Sequence, residues 1–80
     1  MHIPEVKRLA ETYSIDQLKA AEEAILNEET PEIEINGVDE GEQLTHAIAA
    51  YWVIEEMEKE NIPLAKAVRN YTVKVRNSIS

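Results

Sequence analysis

Residues 47 to 54 read Ala-Ile-Ala-Ala-Tyr-Trp-Val-Ile, eight apolar side chains without a break. Ahead of them, Asp39 reads as an N-cap with Glu42 at the third helical position. The run therefore forms the centre of a long helix over about 40–60. Eight successive helical positions point to every side, and a helix that is apolar all round is buried all round. A chain of 80 residues leaves two short helices and one more to surround it. The second face of the long helix thus predicts a contact with another subunit, and the chain is expected to be a homodimer. That contact is assigned to Leu44, Ile48, Tyr51, Trp52 and Glu55. Tyr51 and Trp52 are adjacent, so they point about 100° apart. One is expected to face the intrachain core and the other the subunit contact, with both in one core as the competing arrangement. Such aromatics are favoured interface anchors, being large, apolar and polar-tipped.

The remaining elements follow from caps and periodicity. Pro4 suits the first turn of a helix, where its missing N–H is not needed. Val6, Leu9 and Tyr13 follow at helical spacing, giving a first helix over about 4–12. Ser14 and Gln17 form a capping-box pattern, and Ile15, Leu18, Ala21, Ile25 and Leu26 make the stripe of a second helix over about 15–27. Thr30-Pro31 ends helical structure. Glu32-Ile33-Glu34-Ile35 alternates like a strand, and Asn36-Gly37 is a turn signal, but no second strand follows. The segment at about 32–38 is either an extended loop over the helices or an edge pairing with the same segment of another copy. Glu55, Glu56, Glu58 and Glu60 close the long helix in acid, against its dipole. Asn61-Ile62-Pro63 restarts the chain into a fourth helix over about 63–78. Its stripe is Leu64, Val68, Tyr71, Val75 and Ile79. The expected fold is all-α: a four-helix arrangement of two short N-terminal helices, one long central helix and one C-terminal helix, in a single domain over 1–80.

A core this small is marginal, and with no cysteine no disulfide supports it. Self-association is the expected support. No apolar run is long enough to span a bilayer, and the N-terminus lacks a signal pattern, so the expected location is the cytoplasm, off the membrane. The net charge of −8 argues against nucleic acid as a partner. All sixteen acids fall within residues 1–60, whereas the last twenty residues hold only cations: Lys66, Arg69, Lys74 and Arg76. These cations either neutralise the acidic long helix beside them or, as Lys66, Arg69 and Arg76 with Val73 among them, form a docking strip for another protein.

Glu42 and His46 stand one turn apart, a spacing that lets two side chains share one ion. The di-iron pattern would need a carboxylate three residues before His46, where Gln43 stands, and a second copy of the motif. A cap plus a surface or interface histidine is the plainer reading. No nucleophile accompanies the pair, so neither catalysis nor a cofactor is expected. Gly37 and Gly41 lack the Lys-Ser/Thr that a phosphate loop requires.

Three stretches, Ile3–Ala10, Asp39–His46 and Tyr71–Asn77, resemble a small bacterial family of unknown function, and the likeness spans nearly the whole chain. The resemblance implies a free-standing bacterial protein and transfers no functional residue. The leading expectation is a homodimeric helical module that binds another protein and has no catalytic site. The alternative is a small-ligand or metal-binding protein using Glu42 and His46.

Overall fold

Local signals start each helix, and a computed structural model describes the result for residues 1–79, with side chains through Ser78. Helix α1 spans Ile3–Thr12, with Pro4 in its first turn. Helix α2 spans Ile15–Leu26 behind a complete capping box, and its last residue, Leu26, departs from the expected apolar stripe: it is 63% exposed, about 100° round the helix from buried Ile25. The Ser14 hydroxyl accepts from Gln17 N, and the Gln17 side-chain oxygen accepts from Ser14 N. Helix α3 spans Glu40–Glu60, with the Asp39 carboxylate accepting from Glu42 N at 2.8 Å. Helix α4 spans Leu64–Ile79. Among the described residues there is no strand, and the fold is all-α. Among them, too, no helix is long and apolar enough to cross a membrane. The Ile79 side chain, the last member of the α4 stripe, lies outside the described residues.

Two helix ends use left-handed residues other than glycine. Glu28 has φ 60° just past α2. Around it Glu28 N donates to Ile25 O and Glu29 N to Ala24 O, the paired bonds of a Schellman end. Asn61 caps α3 at φ 53°, ψ 51°, and both Asn61 N and Ile62 N reach back to Met57 O. Asparagine tolerates this conformation well; glutamate does not, and Glu28 carries a local strain of about 1 kcal/mol.

Helix α3 lies at the centre, packed against α1, α2 and α4. The molecule measures 32 × 28 × 18 Å, and its thin dimension is about two helix layers. The innermost side of α3 carries Ala47, Ala49, Ala50 and Val53, all fully buried. Alanines let neighbouring helices approach closely. Leu9 of α1, Leu18 of α2 and Ala67 of α4 are fully buried around them. Full burial of a leucine contributes about 1.5–3 kcal/mol. This packing buries one side of the apolar run, whereas Ile48, Tyr51, Trp52 and Ile54 on its other side are only half-buried. None of residues 47–54 is fully exposed, because small side chains on α3 admit three helices around it.

The connection between α2 and α3 is irregular. Ile35 is buried, Ile33 is half-buried, and Glu32 and Glu34 are exposed. The alternation read in the sequence thus sorts inside from outside, without strand pairing among the described residues. Gly37 runs against the start of α3, where a Cβ would meet Gln43 N at 2.9 Å. Only glycine fits that approach.

Candidate functional site

Three groups of polar or partly exposed side chains stand apart from the core. The first ties the N-terminus and the 33–38 segment to the bundle. Glu5 is 5% exposed on α1, one turn before Leu9. Its two carboxylate oxygens receive four donors: Arg8 Nε and Nη2, both at 2.8 Å, Asn36 N at 2.8 Å and Asn36 Nδ2 at 3.1 Å. Arg8 Nη2 also donates to Glu34 O. The Arg8 hydrogen bonds, helped by those from Asn36 and opposed by burial, bring the Glu5 pKa down to about 2. The same carboxylate pushes the Arg8 guanidinium above its ordinary value.

His46 completes this group from α3, at 1% exposure. Its Nδ1 lies 2.7 Å from Asn36 O, and its Nε2 accepts from His2 N at 2.9 Å. A carbonyl can only accept, so the proton resides on Nδ1. Both ring nitrogens therefore hold backbone. The Glu42 carboxylate accepts from Val38 N at 3.0 Å. The fold does bring Glu42 and His46 to one cavity of about 180 Å³. Yet a metal needs a free nitrogen lone pair, and His46 offers none in this arrangement. Among the described residues, no three His, Cys, Asp or Glu side chains are placed to hold an ion together. Sequence reasoning gave Glu5 no role and read Asn36 only as part of a turn signal. The available signal was a glutamate i−4 from a core leucine with an arginine at i+3, which reads equally well as a surface pair.

The second group is the outer ridge of α3. At about 100° per residue, Leu44, Ile48, Tyr51, Trp52 and Glu55 share the side opposite His46, Ala49, Ala50 and Val53. Glu55 is exposed and the other four are half-buried. Leu44, Tyr51 and Trp52 lean on the edge of the core, whereas Ile48 is not packed against it. Tyr51 leans toward α2. Its hydroxyl donates to the Glu22 carboxylate at 3.3 Å, and Lys19 Nζ stands 5.3 Å from its ring. Burial first, and then the Glu22 charge, raise its pKa. Trp52 leans toward α4, with its ring 5.3 Å from that of Tyr71 and Lys74 Nζ 6.0 Å above it. The two aromatics do not divide between core and outside: both are half-buried and pack against the same core, as in the competing arrangement. Helices flank α3 on two sides, so each aromatic straddles a different edge of the ridge.

The third group is the outer face of α4. Lys66, Arg69, Val73 and Arg76 are all exposed, on the side opposite Ala67, Val68 and Tyr71. Val73 is 44% exposed among the cations. Among the described residues no close ion pair joins an α4 cation to an acid. Glu56 of α3 instead accepts from Asn70 Nδ2 at 3.3 Å.

Over residues 1–80 the chain matches the family described as Family of unknown function (DUF6952), and it belongs to that family. No curated protein and no solved structure matches it.

Proposed function

We propose that this member of a family of unknown function is a homodimeric helical interaction module of the cytoplasm, with no catalytic site of its own. Two copies join through the outer ridge of α3, and the outer face of α4 is left for another protein. The observation that supports the dimer is Ile48. It sits between Tyr51 and Trp52 on the ridge, half-buried, and is not among the described side chains that pack against the core. A second copy of the ridge would cover it by a two-fold contact, in which the same patch serves both subunits. The polar cluster around Glu5 and His46 supports a non-catalytic reading, because each of its key side-chain groups already holds backbone or a partner side chain.

Sedimentation equilibrium tests the dimer. Wild type is expected at twice the chain mass of 9.1 kDa. Ile48→Glu is expected to be monomeric with unchanged helix content, since Ile48 lies outside the core. A wild type that stays monomeric across the micromolar range, or an Ile48→Glu dimer as tight as wild type, would sink the assignment.

A further inference from the structure

We propose that the outer face of α4 docks an acidic segment of another protein, one whose carboxylates flank an apolar side chain. The proposal rests on the interaction-module reading and adds the chemistry of the partner.

Position is the first support. Lys66, Arg69, Val73 and Arg76 fall at i, i+3, i+7 and i+10, a straight strip about 15 Å long at 1.5 Å per residue. All four are exposed, while the opposite face of α4 is held by Ala67, Val68 and Tyr71.

Charge is the second. The chain carries sixteen acids, yet none pairs with these cations among the described residues. Nor does the helix dipole account for them. Arg76 lies in the last turn, where a cation is favourable, but Lys66 is the third residue of α4. There a cation meets the positive end of the dipole, and the first turn holds no acid to offset it. Lys66 therefore works against the helix that carries it, without an ion-pair partner among the described residues. Carboxylates from outside would satisfy both Lys66 and Arg69.

The apolar member selects the class of partner. Val73 is among the few large apolar side chains left exposed, and it stands inside the cationic strip. A carboxylate-bearing segment with an apolar residue matches both features. A phosphodiester backbone offers Val73 nothing and is repelled by the net charge of −8.

The test uses a short labelled synthetic helical peptide with glutamates at the strip's spacing and one leucine between them, read by fluorescence anisotropy on the full chain. The peptide is expected to bind. Lys66→Glu/Arg69→Glu should weaken it at least about tenfold, and replacing the peptide's leucine with serine should weaken it about threefold. Arg76→Glu, at the other end of the strip, gives an independent weakening should the double variant fail to fold by circular dichroism. Ile48→Glu should bind as wild type does, so loss of the dimer reading leaves this result standing. Undiminished binding by the folded charge variants overturns the proposal. So do equal weakening by Ile48→Glu, indifference to the leucine, or tighter binding of a single-stranded DNA oligonucleotide of matched charge.

Discussion

Arg8 and Arg69 are arginines on amphipathic helices of the same small chain, and the structure treats them in opposite ways. Arg8 closes a fork on Glu5 and reaches Glu34 O, inside a network that fastens an irregular segment to the bundle. Arg69 points outward with no ion pair among the described residues. The difference lies in what surrounds each one. Glu5 is buried, so its charge must be answered from within the chain. The α4 cations are exposed, so water answers them and the fold does not depend on the outcome. Charge held inside the molecule stabilises it; charge left outside is free to meet something else.

The contrast can be broken most decisively at Glu5. Glu5→Gln places an amide NH₂ among four converging donors, leaving at least one buried donor without an acceptor. The expected loss is about 3 kcal/mol, measured by urea denaturation. Retained stability would mean that the cluster is no more than a surface ornament.

Acid sharpens the same point more gradually. Glu5 titrates at about 2 in the folded chain, against an ordinary value of 4.5. A depressed carboxylate contributes stability that is fully present above the unfolded value and lost as pH falls through the folded one. Stability should therefore decline between about pH 4.5 and about pH 2. The decline should reach about 2 kcal/mol once the partial exposure of Arg8 is allowed for. Glu5→Gln should lose this component, so the difference between its pH–stability curve and that of wild type isolates the group.

The smallest effect belongs to α4. Lys66→Glu/Arg69→Glu removes two cations from the first half of the helix, and its thermal stability should change by less than about 0.5 kcal/mol, in the direction of a gain. A large loss would show that these residues support the fold and would erase the contrast with Arg8.

Much of this was legible beforehand. The helix starts at Ser14 and Asp39 and the break at Asn61 stand where the sequence marks them, because each depends on residues no more than about four positions away. The exposed strip of α4 was equally legible, since an amphipathic helix announces its polar face. The end of α2 fell within one residue of the expected place, but its left-handed cap was not legible. Glu28 adopts a left-handed turn that glycine would have signalled and glutamate does not. Glu42 and His46 were singled out correctly as neighbours, but their partners were invisible. Val38 N, His2 N and Asn36 O are backbone atoms, which no residue pattern advertises.

The sequence by itself determined four helices, their order, the inward and outward faces of α1, α4 and (Leu26 apart) α2, and the segregation of charge between the first sixty residues and the last twenty. Only the tertiary structure decided how the apolar run of α3 is covered and which charges are answered. His2 and His46 meet across 44 residues, and Asn36 and Glu5 across 31. Helix formation is set by bonds between near neighbours along the chain. Such distant meetings depend on how closely three alanines let the helices pack, and that is a property of the assembled volume and not of any local stretch.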